Sequence, residues 1–270
     1  MALDYENWKR EHASLLETFP QKRLFMFFTG GKDSSVILWL LLNASREFGF
    51  SFETNTGRFP FRVFPDEEVN RLDTYWRAQG VEVAWHEVDA SDELLSEAQL
   101  RGENPCRLCH AIKRNSLFNH LKTRNYKMSD IVLIMSFSLW DLVSYSIEYL
   151  VEGIYNVHST AGHGDRVLTT SQRFYPVIHF NDGLTVFNPL LKYNNQEILR
   201  LASEQGLPLS QVECAYNRYT PKRILFDYYK QVDAFFDYNR VFNFVNNSFR
   251  IHEGGIPPEM STLEFIKSAL

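Results

Sequence analysis

Cysteine is scarce in this sequence: three residues in a chain of 270, an odd number that does not make a disulfide framework. That excludes a small stapled scaffold and points to a reducing compartment, where thiolates are free to hold metal. Long hydrophobic runs are missing too. The longest, Val36 to Leu42, falls far short of the roughly 20 residues a membrane span needs. The opening Met1-Ala-Leu-Asp-Tyr-Glu is acidic where a secretion leader is basic, so the sequence reads as cytoplasmic and as having no membrane partner. Positive charge is not in excess either. A formal net charge of −5 argues against broad affinity for nucleic acid, although a local basic patch can sit within an acidic whole. With 44% hydrophobic and 23% charged residues the chain is neither disordered nor fibrous. It has no internal repeat and no low-complexity linker.

Short apolar runs alternate with helical spacing along most of the length. Trp8, Leu15, Leu16 and Phe19 predict a leading helix within residues 1–22, stopped near Pro20. Strands are expected at Leu24 to Phe28, Phe50 to Thr54, Val81 to Val88, Ile131 to Ser136 and Thr185 to Phe187. Helices are expected at Ser34 to Phe48, Asp66 to Ala78, Glu93 to Gln99, Pro105 to Thr123, Leu139 to Val151, Gln196 to Gln205 and Pro221 to Phe236. Strands separated by helices imply an α/β fold with a doubly wound, mostly parallel sheet and helical N- and C-terminal additions. The organisation that follows is a leading helix (1–22), a nucleotide-binding domain (23–215) and an aromatic-rich C-terminal extension (216–270), whose last part, through Gly254, Gly255, Pro257 and Pro258, reads as a less regular tail. Within the extension, Phe226, Tyr229, Val232 and Phe236 stand close to helical spacing and read as core packing before a base-stacking platform.

The first chemical signal is Thr29-Gly30-Gly31-Lys32-Asp33-Ser34-Ser35, between an apolar strand and a helix. Glycines let the backbone approach phosphate oxygens, the first amides of the helix point at them, and the helix dipole favours negative charge there. Lys32 adds a point charge, and Ser34 and Ser35 supply hydroxyl donors. The glycine spacing fits neither the Walker A loop nor the dinucleotide fingerprint. It resembles the Ser-Gly-Gly-x-Asp-Ser loop of the PP-loop ATP pyrophosphatase superfamily, with Thr29 in place of the first serine. The resemblance implies that Thr29 to Ser35 bind ATP, that a substrate oxygen attacks the α-phosphorus, and that pyrophosphate leaves. It also implies Mg²⁺, with Asp33 the nearest acidic residue to hold or orient it and Lys32 and Asp33 as catalytic groups.

The second signal is Cys106-Arg107-Leu108-Cys109-His110, with Cys214 far downstream. Two thiolates at this spacing grip one metal or cluster, and a third joins them if the fold brings Cys214 near. The same thiolates can instead hold Zn²⁺ with His110, form a redox-active pair, or lie buried and inert. Lys113 and Arg114, one turn past Cys109, read equally as contacts to a phosphate or cluster and as solvated helix charges.

Pro105 to Cys109, Lys113, Arg114 and Leu117-Phe118 resemble the Cys-x-x-Cys helix of the tRNA 2-thiocytidine synthetase family. Asn188-Pro189-Leu190, Glu197-Ile198 and Cys214 followed by Lys222-Arg223 are similar to that family's downstream stretch, so the likeness spans about residues 24 to 235. It implies a [4Fe-4S] cluster on Cys106, Cys109 and Cys214 that delivers sulfur to an adenylated base. Where the family has Gly-His-His-x-Asp-Asp, this chain has Ser136-Phe137-Ser138-Leu139-Trp140-Asp141, keeping only the last aspartate, Asp141, as a catalytic candidate. The expected activity is an ATP-dependent sulfurtransferase. Its acceptor is a small oxo-heterocycle such as a free purine, with a cytidine of tRNA as the alternative, and its sulfur comes from a donor protein or sulfide. A cluster-free ligase using ammonia or an amine, and a nucleotide or iron-sulfur sensor, are the readings from other classes. The aromatic tail either covers the site or forms a homodimer interface.

Overall fold

The apolar run at Leu24 to Phe28 becomes the central strand β1 (Arg23–Phe27), buried through its middle because both sheet faces are covered. The structure is a computed structural model describing residues 2–59, 64–88, 91–124, 126–155, 174–216 and 221–249. Around β1 stand β2 (Phe52–Arg58), β3 (Val83–Glu87), β4 (Ile131–Ile134), β5 (Val177–His179) and β6 (Thr185–Phe187), in the order β3-β2-β1-β4-β6-β5. All neighbours are parallel except β5 on β6; Leu24, for example, lies across from Phe52 on one side and Val132 on the other.

The helices described are α1 (Tyr5–Leu16), α2 (Lys32–Phe48), α3 (Asp66–Ala78), α4 (Asp92–Leu100), α5 (Pro105–Thr123), α6 (Leu139–Tyr155), α7 (Asn195–Glu204), α8 (Pro221–Gln231) and α9 (Tyr238–Phe249). Alternation along β1 sends Leu24 and Met26 to the face covered by Trp8 and Leu16 of α1, Ile37 and Leu41 of α2, Leu72 and Trp76 of α3, and Ile198 and Leu201 of α7. Phe25 faces the other way, onto Leu121 of α5 with Leu133 and Val186. The doubly wound, mostly parallel sheet expected from the alternation is therefore the architecture observed.

Three elements depart from expectation. β5 escaped the sequence because three residues are too few to show a period; it pairs through a turn at Asn181-Asp182-Gly183, where Gly183 takes φ +93°. The helix expected over Pro221 to Phe236 ends at Gln231. Asp233 adopts the left-handed conformation (φ 48°), and the Ala234 amide donates to Tyr229 O at 2.8 Å, closing the helix as a glycine would. The turn then docks on the start of α7: Phe236 N–H donates to Asn194 Oδ1 at 2.8 Å and Asn194 Nδ2 to Phe236 O at 2.9 Å. Beyond it, α9 occupies residues read from sequence as part of a less regular tail. Its Asn-rich composition has modest helix propensity, and packing of Val245, Val241 and Phe242 against Leu139, Leu142 and Leu191 decides the outcome. The remainder of the tail, with Gly254, Gly255, Pro257 and Pro258, lies outside the described residues.

α1 is held to the sheet by Trp8, whose indole donates to Pro189 O at 3.1 Å, and by His12, buried against Trp8 and Phe187. Burial pushes the His12 imidazole down to about 4, outweighing the attraction of Glu11. A depressed histidine favours the fold while it stays neutral. That stability is complete above the ordinary value of 6.5 and is lost as pH falls from there towards 4. We expect the His12 ring resonances to titrate near pH 4 by NMR, and His12→Phe to reduce the acid sensitivity of unfolding by on the order of 3 kcal/mol. An ordinary midpoint near 6.5 would contradict the burial argument.

Candidate functional site

The chain leaves β1 towards β2 on one side, whereas β4 leads on towards β6 on the other, so the sheet order reverses between β1 and β4. A crevice opens at the carboxyl ends of strands at such a point, and open α/β sheets bind ligands there. The two candidate loops flank it: Thr29 to Gly31 after β1, and Met135 to Ser138 after β4.

In the first loop Gly30 takes φ +68°, and its carbonyl accepts from Ser210 N at 2.6 Å. Gly31 begins α2 with no side-chain cap, so the first amides of the helix, which have no intrahelical acceptor, remain oriented for an anion. Thr29 N–H donates to Ser34 Oγ at 3.1 Å, Ser34 Oγ to Gly31 O at 3.0 Å, and Gly31 N–H to Thr29 Oγ1 at 3.3 Å. Ser34 and Ser35 are both buried, and Ser35 Oγ donates to Pro208 O at 3.4 Å. The sequence assigned these two hydroxyls to phosphate. Here their hydrogen bonds brace the loop from within. Lys32 pairs with Asp33 at 2.5 Å.

In the second loop Ser138 caps α6. Asp141 Oδ2 accepts from Ser138 N at 2.8 Å and from Ser138 Oγ at 2.7 Å. Its other oxygen pairs with Lys222 of α8. Burial would raise the Asp141 carboxyl, but the Lys222 ammonium and the Ser138 donors outweigh it and hold the group below the ordinary carboxylate range. Burial likewise disfavours the Lys222 charge, and Asp141 overrides it, with Tyr145 and the loop's Asp33 adding to a raised value. In the sequence Lys222 stands only within a stretch of family likeness; the fold shows that Asp141 is the carboxylate it meets. Of the aromatic stripe on α8, Phe226 and Tyr229 set their rings edge-on to Trp140 at 5.4 and 5.3 Å, which is core packing.

The three cysteines come together. Cys106 and Cys109 lie in the opening turns of α5, and Cys214 comes from the segment after α7; all three pack with Leu95 and Tyr216. Cys106 Sγ donates to Tyr216 O at 3.4 Å, while Tyr216 Oη lies 3.0 Å from Ser96 Oγ of α4. Burial pushes the Cys109 thiol up, Lys113 pulls it down, and the charges of Cys214 and Cys106 push it up again. The sulfurs thus feel one another, and a lysine offsets them. Among the described residues no three His, Cys, Asp or Glu side chains stand in position to hold a metal ion. The side chains of His110 and Arg114 lie outside the described set.

One segment joins the two sites. Ser210 bonds the glycine loop at Gly30 O, and Cys214, four residues later, sits in the thiol cluster. At most about 3.6 Å per residue, the two anchor points are no more than about 14 Å apart.

No protein-family model matches this sequence, and no curated protein does. Solved structures match the fold. U34-tRNA thiolase NcsA from Methanococcus maripaludis, solved with its [4Fe-4S] cluster, superposes with TM-score 0.64 at 16% identity, over 98% of this chain and 89% of that one. NMN synthetase from Francisella tularensis superposes with TM-score 0.50 at 11% identity, over 96% of this chain and 99% of that one. This chain therefore shares its fold, the mostly parallel α/β sheet, with these two enzymes.

Proposed function

We propose that this protein is an ATP-dependent thiolation enzyme that adenylates a carbonyl oxygen of a nucleobase-like heterocycle and exchanges that oxygen for sulfur. The observation that supports the reading is the four-residue tether between Ser210, bonded to Gly30, and Cys214, which ties the three-cysteine cluster to the glycine loop. The acceptor oxygen attacks the α-phosphorus and pyrophosphate leaves. A sulfur nucleophile then attacks the activated carbon, and AMP departs with the original oxygen. Adenylation turns a poor leaving group into a good one, and the loop amides and Lys32 stabilise charge as it moves to the pyrophosphate.

Mg²⁺ enters with the triphosphate, with Asp33 the nearest carboxylate of the loop. The cysteine donor set suits a cluster in kind: three thiols in one packed group, with Lys113 placed to offset the charge of a thiolate at Cys109. A four-iron cluster takes each thiolate on a different iron and so needs less crowding of sulfurs than a single zinc ion does. When bound, it supplies an iron without a protein ligand at which sulfur can be held.

The acidic balance of the chain and its altered Ser136 to Asp141 segment support a small free heterocycle as acceptor. The likeness to a tRNA thiolase supports the second reading, a base in tRNA. Salt separates them, because affinity for tRNA falls steeply with ionic strength and affinity for a neutral heterocycle does not.

The decisive experiment is the absorption spectrum and the iron and sulfide content of protein purified without oxygen, beside Cys106→Ala. We expect a brown protein with broad visible absorption that the variant loses. Colourless wild-type protein that takes up no iron on anaerobic reconstitution would leave zinc, or cluster-free ligation of ammonia or an amine, as the better account.

A further inference from the structure

We infer that Lys222 is a second phosphate-binding cation, stored on Asp141 and drawn to the triphosphate when ATP seats on the loop. This rests on the reading of Thr29 to Ser35 as an ATP site.

The geometry is that of a charge held at the edge of the crevice. Asp141 lies in the first turn of α6, beyond the carboxyl end of β4 at the reversal of strand order, and its side chain is 2% exposed. Lys222 reaches it from α8 and keeps 30% of its own side chain exposed. The lysine is thus the more open member of the pair and the carboxylate the covered one. Asp141 divides its acceptors, with Oδ2 serving the backbone and hydroxyl of Ser138 and Oδ1 serving Lys222. Departure of the lysine leaves the carboxylate with two donors in place. The Lys222 ammonium has a second contact as well, standing 5.1 Å over the Phe226 ring.

Charge balance gives the lysine a reason to move. At the loop mouth Lys32 is paired with Asp33, so the charge of the loop's lysine is already offset by its neighbour. A triphosphate is multiply charged, and the uncapped start of α2 contributes only partial charge. Strands β1 and β4 are parallel neighbours, so the loop that follows β1 and the Asp141–Lys222 pair that follows β4 lie at the same edge of the sheet.

The test is calorimetric binding of an α,β-methylene ATP analogue and of AMP to wild type, Lys222→Met and Lys222→Arg, all as the full chain. The expected result is that Lys222→Met weakens the analogue by about 10- to 100-fold, the range of one charged hydrogen bond, and AMP by less than about 2-fold, while Lys222→Arg recovers most of the loss. Equal binding of the analogue by wild type and Lys222→Met overturns the inference and leaves the ATP site standing. Parallel weakening of analogue and AMP also overturns it, since that is the signature of a structural lysine. Failure of wild type to bind the analogue at all removes the ATP site itself and the inference with it. Should Lys222→Met not fold, the wild-type protein decides: the analogue, but not AMP, should alter the rate at which Lys222 is reductively methylated, and an unchanged rate with saturating analogue rejects the proposal.

Discussion

Gly30→Ala is expected to lower ATP-dependent pyrophosphate release by about 100-fold or more while costing only roughly 1–2 kcal/mol of stability. Two observations lead there. Gly30 sits at φ +68°, a conformation that side chains adopt at a cost, and a Cβ at that position would meet Ser210 Cβ at 2.8 Å and Leu72 Cδ1 at 3.2 Å. Ser210 cannot simply retreat, because its amide is bonded to Gly30 O at 2.6 Å. The loop itself must shift, and misplacement of a positioning group by about 1 Å can cost on the order of 100-fold in rate. Gly49→Ala is the control. Gly49 has nearly the same φ, +72°, at the end of α2, with nothing within 4 Å of a Cβ. It should show the backbone penalty in its melting temperature and leave pyrophosphate release intact. Full nucleotide affinity in Gly30→Ala would remove the loop from the phosphate site.

Asp141→Ala is expected to destabilise the protein by about 3 kcal/mol and to abolish turnover. The substitution strips Ser138 of its acceptor and leaves the Lys222 ammonium without its partner, and the partial exposure of Lys222 puts the cost at the lower end for a broken buried pair. The pH dependence has a definite sign. A carboxyl held below its ordinary value stabilises the fold above that value and loses its contribution as pH falls through the depressed folded one. The stability gap between wild type and Asp141→Ala, measured by urea unfolding, should therefore be widest at neutral pH and close in strong acid. A gap that persists unchanged into acid would mean that packing, not the ion pair, is what the variant loses.

These two residues differ in how far the sequence exposes them. Gly30 is legible, because a Thr-Gly-Gly-Lys-Asp-Ser-Ser run between an apolar strand and a helix is a local pattern whose geometry follows from backbone freedom and helix capping. Asp141 was reached only through likeness to a family segment, and nothing local to it indicates an ion pair with a residue on a helix far along the chain. The serines of the loop show the reverse case. Their identity suggests phosphate donors, and the bonds of Ser34 to Gly31 O and Ser35 to Pro208 O, which depend on the folded loop and on the chain after α7, could not be read from the run itself.

By itself, the sequence determined the alternation of strands and helices, the placement of the loop between β1 and α2, and the Cys-x-x-Cys pair at the start of α5, since each depends on periodicity or spacing within a few residues. Tertiary structure alone decided that β5 runs antiparallel at the sheet edge, that Tyr238 to Phe249 is a helix, that Cys214 joins Cys106 and Cys109, and that Lys222 meets Asp141. Those features depend on which surfaces remain to be covered once the sheet has formed, and burial between distant segments carries no signature in either segment read alone.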